Sequence, residues 1–407
     1  MRNFLITFLI LISALFSQET IYGTIEHDGL QREYILYVPS SYTVNQSVPL
    51  LFNFHGYTSN ANVQMNYGSF RSIADTAGFI IIHPQGTLDN QGITFWNVGW
   101  GTEVVDDVGF TEAMIDSIGM EYNIDLERVY ATGMSNGGFM SFHLACQLSE
   151  KIAAVASVTG SMTPFTFNNC NPQHPAPILQ IHGTADNVVP YNGAITWTLS
   201  IEDVLQYWVN YNNCDTSATI TNLPNINTND GSTVELIIYD EGDNGVTVEH
   251  FKVIGGGHTW PGTAFGSPGT NYDINASVEI WKFFSKYDIN GLIGTAGIDE
   301  EAVPASFTLF PAYPNPFNPV TTLRYDLPEQ STVNIIIYDM LGRQVRTLLN
   351  QTQDAGFKSV IWDATNDYGK PVSAGVYLYK IQAGEFVHTR KMAVSYTHLT
   401  LPTNREV

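Results

Sequence analysis

Basic residues are scarce in this chain. Seventeen Lys and Arg stand against 39 Asp and Glu, a formal net charge of -22 at pH 7. An excess of that size repels nucleic acid and anionic membrane surfaces, so neither is an expected partner and neutral substrates are favoured. Cysteine is almost absent, with only Cys146, Cys170 and Cys214 present. Three thiols permit one disulfide and leave one over. Cys146 with Cys170 is the preferred pair, because the two flank a strand and loop beside one helix, but spacing alone leaves the pairing open. Histidines are scattered without paired spacing, so no metal and no cofactor is expected. Long apolar runs are missing beyond the first 17 residues. There, Arg2 precedes an apolar run from Phe4 to Phe16, followed by Ser17 and the polar Gln18-Glu19-Thr20. That pattern predicts a secretory signal peptide over 1–17, too short to span a bilayer, and an exported chain that is secreted or attached at the cell surface.

What the chain does have is length and a change of texture. Its 407 residues predict two domains with room for a large core. From Tyr22 to Pro39 the pattern reads as a β-hairpin turning at Asp28-Gly29. Near-continuous apolar strands follow at 49–54, 79–83, 129–132, 153–158 and 177–182, with helical patterns between them. Strands alternating with helices predict an α/β class, a doubly wound and mostly parallel sheet. One helix presents Phe110, Met114, Ile115 and Ile118 on a single face, with Asp107 as the expected N-cap. A capping box at Ser200-x-x-Asp203 opens a helix over 201–211, and Asn275 caps another over 276–287. Strands are expected at 234–239 and 248–254.

This predicted domain covers 18–287. A Gly-rich, acidic stretch at 288–304 reads as a linker. Over 305–394 short strands separated by turns replace helical patterning, which predicts a small all-β sandwich. Tyr313-Pro314-Asn315-Pro316-Phe317-Asn318-Pro319, Tyr338-Asp339-Met340-Leu341-Gly342-Arg343 and Ser373-Ala374-Gly375-Val376-Tyr377 closely resemble the C-terminal sorting domain of the type IX secretion system. The resemblance implies passage across an outer membrane with that machinery as partner. The tail 395–407 departs from it and resembles translated sequencing adapter, so it is not expected to belong to the fold.

The chemistry is carried by Gly133-Met134-Ser135-Asn136-Gly137, where a strand-like run turns sharply into a helix. A side chain lifted off such a turn sits on strained backbone, so the positions two before and two after must lack bulk. Ser135 is the expected nucleophile. A serine hydroxyl needs an imidazole to take its proton, and the imidazole needs a carboxylate to fix its tautomer. In the chain order Ser, acid, His, two loop positions fit: Asp186 after the strand ending at His182, and His258 after Gly255-Gly256-Gly257. Asp240 and Asp243 compete for the acid but read as a surface turn, and His250 reads as an exposed strand residue. His55 and His182 read as structural, and Asp106 and Asp107 as capping. The oxyanion needs two donors, expected from the amides of Asn136 and Tyr57. Trp260, Trp100 and Trp96 are candidates for an aromatic wall around the substrate.

His55-Gly56, Trp96-Asn97, Val105 to Phe110, Arg128 to Gly138, His182 to Asp186 and Gly255 to Gly262 resemble the polyhydroxybutyrate depolymerase-type esterase family. That family overlaps carbohydrate esterase family one, with its feruloyl and acetylxylan esterases. The resemblance implies an α/β-hydrolase fold and the same triad, Ser135, Asp186 and His258. The chain departs from it at Gly99-Trp100-Gly101 and Ser232, where relatives often carry cysteine, which puts a second disulfide in doubt. The expected activity is that of a secreted serine esterase on feruloyl or acetyl esters of polysaccharide. A polyester depolymerase is the alternative, and a silent, surface-binding hydrolase fold the third reading.

Overall fold

The computed structural model describes residues 18–101, 104–194, 196–294, 306–312, 315–317, 320–353 and 355–395. The expected signal peptide, most of the linker, parts of the 313–319 motif and all but the first residue of the tail lie outside the described residues. The chain divides into two compact units, Met1–Ala296 and Gly297–Val407.

The first unit opens with a hairpin, β1 (Glu19–His27) and β2 (Leu30–Val38), about Asp28-Gly29. Both turn residues have positive φ, 50° and 73°, as a two-residue hairpin matching the strand twist requires. β3 (Val48–Phe54), α1 (Ala61–Tyr67), α2 (Arg71–Ala77) and β4 (Ile80–Pro84) follow, then a short ribbon of β5 (Thr87–Leu88) and β6 (Thr94–Phe95). Next come α3 (Asp107–Glu121), β7 (Ile124–Met134), α4 (Asn136–Gln147), β8 (Ala154–Val158), α5 (Pro164–Asn168) and β9 (Ile178–Gly183). α6 (Ile201–Tyr211), β10 (Thr219–Asn222), β11 (Thr233–Tyr239), β12 (Val248–Ile254) and α7 (Ala276–Phe284) complete the layers, and β13 (Tyr287–Asp288) pairs with β14 (Gly291–Leu292).

The main sheet has ten strands in the order β1-β2-β4-β3-β7-β8-β9-β12-β11-β10. Neighbours from β4 through β12 pair parallel, and the strands at both edges pair antiparallel. Helices on both faces explain why β3 is buried at every position. Along β3, Leu50, Phe52 and Phe54 join the layer of α3, α4 and α6, whereas Leu51 joins that of α2 and α7. The Ser200 hydroxyl accepts from the Asp203 amide at 3.1 Å, which makes Ser200 the N-cap of α6 as expected, and donates to the Asp203 carboxylate at 2.6 Å. Asn275 caps α7, which ends at Phe284, three residues before the expected end.

Two expectations need correction here. The N-cap of α3 is Asp106, whose Oδ1 accepts from the Gly109 amide at 2.8 Å. Asp107 turns inward instead, to accept from Arg32 of β2 at 2.6 Å and from the Asn97 amide at 2.7 Å. His250 is buried, because β12 lies between β9 and β11 and not at an edge. It meets the Tyr191 hydroxyl at 3.0 Å and the Gln180 carbonyl at 3.1 Å.

The second unit stacks a three-stranded sheet, β15 (Thr308–Leu309), β16 (Thr321–Leu327) and β19 (Gly356–Trp362), with a four-stranded one. The latter runs β18 (Gln344–Gln353), β17 (Ser331–Asp339), β20 (Gly375–Ala383), β21 (Phe386–Val394). Alternate residues of β16, β17 and β20 enter one core with Trp362 and Met392, as a small antiparallel sandwich requires. No helix among the described residues is long and apolar enough to cross a membrane.

Candidate active site

β7 delivers Ser135 at the carboxyl edge of the sheet, and α4 starts one residue later. Ser135 has φ 54° and ψ -120°, a conformation costly for any side chain that is not glycine. The flanking glycines make it possible. A Cβ on Gly137 would lie 2.2 Å from the Phe54 carbonyl oxygen, and one on Gly133 2.6 Å from that atom and from the Gly137 backbone. The elbow is therefore wedged against the end of β3, with no room for a methyl group at either position.

Two strands further on, the loops after β9 and β12 interlock. The Ala185 amide donates to the Gly256 carbonyl at 2.9 Å, and the Gly255 amide to the Thr184 hydroxyl at 2.9 Å. A Cβ on Gly183 would sit 2.2 Å from the Gly256 oxygen, so this approach too depends on glycine. The lacing brings His258 Nδ1 to 2.7 Å from Asp186 Oδ2. Asp186 Oδ1 accepts from the Val188 and Val189 amides at 2.8 and 2.9 Å, which fixes the carboxylate in place. Burial opposes its ionisation, but hydrogen bonds from His182 and His258 outweigh that and hold the carboxyl below the usual carboxylate range. With Asp186 ionised, His258 carries its proton on Nδ1 and leaves Nε2 free to accept one. His182 is buried; its Nε2 donates to the Val189 carbonyl at 2.9 Å and lies 3.4 Å from Asp186 Oδ2. Asp240 and Asp243 are exposed in the turn before β12.

The loop after β3 runs beside the elbow, and a Cβ on Gly56 would stand 3.4 Å from Ser135 Cβ. Asn136 is the first residue of α4, where backbone amides have no partner within the helix. Its side chain accepts from the Trp96 amide at 2.7 Å and donates to the Trp96 carbonyl at 3.1 Å, tying the elbow to the 96–101 loop. Ser135, Asn136 and Tyr57 all line one cleft of about 620 Å³.

Of the three tryptophans, only Trp100 lines this cleft. Trp96 is fully buried, edge-on to Phe54 at 5.1 Å, with its Nε1 donating to the His55 carbonyl at 2.9 Å. Trp260 is buried beneath the His258 loop, donating to the Ser277 hydroxyl of α7 at 3.1 Å and packing edge-on against Phe70. Both shape the loops they sit in, and neither side chain can form a wall for substrate. Trp197, Phe165, Phe95 and Asp89 line the cleft with Trp100. They stand on irregular segments, a two-residue strand or a five-residue helix, where no periodicity marks a site. Trp100 donates from Nε1 to the Trp197 carbonyl at 2.9 Å, and Gly99 leaves space for the Phe165 ring, which a Cβ would meet at 2.3 Å.

Cys146 and Cys170 form a disulfide that joins the end of α4 to the loop after α5, and Cys214 is free and buried. The tertiary fold also brings His27, Asp28 and Asp106 within 4.8 Å of one another at the surface, a grouping that spacing along the chain did not anticipate.

A doubly wound sheet with a strained serine at its carboxyl edge, followed in chain order by an acid and a histidine, defines an α/β-hydrolase fold. Residues 106–217 match the Phospholipase/Carboxylesterase family model, and residues 319–385 match that of the FlgD Ig-like domain. The chain is 32% identical over 270 residues to a bifunctional acetylxylan esterase/xylanase of Neocallimastix patriciarum, covering 66% of this chain and 35% of that one. It is 32% identical over 237 residues to feruloyl esterase B of Piromyces equi, covering 56% of this chain and 42% of the relative. The chain thus spans well under half the length of these two relatives. Among solved structures, an acetyl xylan esterase from Aspergillus awamori superposes with a TM-score of 0.47 at 16% identity, covering 66% of this chain and 99% of that one.

Proposed function

We propose that the chain is an exported serine esterase. Ser135 attacks an ester carbonyl, His258 takes the hydroxyl proton and passes it to the leaving alcohol, and Asp186 stabilises the imidazolium. The amides of Tyr57 and Asn136 receive the oxyanion, and water then hydrolyses the acyl-enzyme. The reading rests above all on the 2.7 Å bond between His258 and Asp186, held at the same sheet edge as the strained Ser135. Turnover of p-nitrophenyl acetate by the wild type, and a loss of about 10⁴-fold or more in Ser135→Ala, tests it. Equal rates in both would leave a surface-binding role for an inactive fold.

The favoured substrates are hydroxycinnamoyl or acetyl esters of plant or algal polysaccharide, consistent with the names of the two relatives. The aromatic side chains of Trp100, Trp197 and Phe165 favour the hydroxycinnamoyl group, since an acetyl group would leave most of a 620 Å³ cleft unfilled. Poly(3-hydroxybutyrate) is the second reading, favoured by the same apolar lining. Dedicated depolymerases add a polymer-binding module, whereas the second unit here resembles a sorting domain. Turnover of methyl ferulate, acetylated xylan and a polyhydroxybutyrate suspension, measured side by side, ranks these substrates. For the second unit we retain the type IX sorting role, tested by whether removal of residues 305–394 stops export from a type IX-competent host.

A further inference from the structure

We infer that His55 is a positioning residue that aims the Tyr57 amide at the oxyanion by gripping the Gly56–Tyr57 peptide from its carbonyl end. This rests on the esterase reading above and adds to it a device for building the oxyanion hole.

The peptide group is planar. In a trans peptide the carbonyl oxygen of one residue and the amide hydrogen of the next point in opposite directions and turn together. Whatever holds the Gly56 oxygen therefore also sets the direction of the Tyr57 N–H. His55 Nδ1 lies 2.8 Å from the Gly56 oxygen, and His55 Nε2 lies 2.9 Å from the Gly86 amide nitrogen. A backbone amide can only donate, so Nε2 carries the lone pair and Nδ1 the proton that goes to Gly56.

The ring is well placed to hold that orientation. It is fully buried, and burial lowers its pKa to about 4, which keeps it neutral with this one tautomer across the working pH range. Trp96 packs on it with ring centroids 5.0 Å apart and anchors the His55 backbone through its indole N–H. Gly86 can approach only because it lacks a side chain, since a Cβ there would lie 2.3 Å from the Phe95 carbonyl oxygen and 3.1 Å from His55 Nε2. The Ser59 amide also donates to the Gly56 oxygen at 3.1 Å, so rotating the peptide would break two hydrogen bonds. The gripped peptide is next to the nucleophile: a Cβ on Gly56 would be 4.0 Å from Ser135 Oγ.

The test compares full-length wild type with His55→Phe, which keeps a ring against Trp96 but has no donor, and His55→Asn, which keeps a donor near the Nδ1 position. Active sites are counted by the stoichiometry of an organophosphonate. Expected for His55→Phe is a kcat on p-nitrophenyl acetate lower by about 10–100-fold per titrated site, with KM changed by no more than about threefold. The inhibition constant of an aryl trifluoromethyl ketone, which binds serine as a hemiketal oxyanion, should rise by a similar factor, and His55→Asn should recover much of both losses. A merely structural role would lower the number of titrated sites and leave both constants unchanged; that result overturns the inference. If His55→Phe does not fold, His55→Leu replaces it; if neither folds, His55 serves the scaffold and the inference falls. Absence of wild-type turnover would instead count against the esterase reading itself.

Discussion

In the proposed mechanism an imidazolium forms on His258 and needs a negative partner in hydrogen-bond reach, and Asp186 Oδ2 stands 2.7 Å from Nδ1. Asp186→Asn keeps the shape but lets the amide select the other tautomer. The expected outcome is a kcat lower by about 10⁴-fold with KM nearly unchanged, read by steady-state kinetics on p-nitrophenyl acetate. The tryptophans divide at this scale as well. Trp100→Ala removes part of the cleft wall and is expected to raise KM for methyl ferulate by about tenfold while leaving p-nitrophenyl acetate within about twofold. Trp260→Phe loses the Ser277 hydrogen bond and should lower the melting temperature without moving either KM. The positions of all three tryptophans beside catalytic motifs were legible in the sequence. Which way each ring points was not, because a Gly- and Pro-rich loop does not fix orientation until a partner such as Ser277 or Phe54 is in place.

At the scale of elements, the glycines of the elbow carry the sharpest expectation. Gly137→Ala sets a methyl group against the last carbonyl of β3, at 2.2 Å, and β3 leads straight into the loop that holds Tyr57. Stability should fall by about 1–3 kcal/mol in denaturant titration, and kcat should fall with it because the loop shifts. Strand and helix positions, the hairpin turn and the caps at Ser200 and Asn275 were readable, since each rests on local periodicity or local hydrogen bonding. The cap of α3 was misread by one residue because adjacent aspartates satisfy the pattern equally well. Arg32, distant in sequence, draws Asp107 inward and leaves Asp106 to cap. β18 went unforeseen, since its residues show little alternation between core and solvent.

For the whole molecule, burial of titratable groups sets the response to acid. Desolvation lowers the pKa of His55 and His143 to about 4, and of His83 and His250 to about 3. In the unfolded chain each would titrate near 6.5. Below that pH the unfolded state binds protons the folded state refuses, so each of the four removes about 1.4 kcal/mol of stability per pH unit down to its folded value. Asp186, whose folded pKa is lowered, adds stability that is present above the ordinary carboxylate range and is lost as pH falls below that range and through the lower folded value. Thermal unfolding followed from pH 8 to pH 4.5 should therefore show a steep decline beginning near pH 6.5. The two units have separate apolar cores, so a chain ending at residue 294 is expected to fold and to keep kcat on p-nitrophenyl acetate within about twofold.

The alternation of strands and helices in the first unit, the sharp turn at Ser135 with its flanking glycines, and the candidacy of Asp186 and His258 could be read from the chain alone, because each depends on local backbone demands or on chain order. Which strands lie inside the sheet, and with that the burial of His250, emerged with the assembled fold. It alone brought Trp197 and Phe165 to the cleft and turned Trp96 and Trp260 away from it. Periodicity tells how a segment folds on itself, whereas burial and direction are set by neighbours that arrive from elsewhere in the chain.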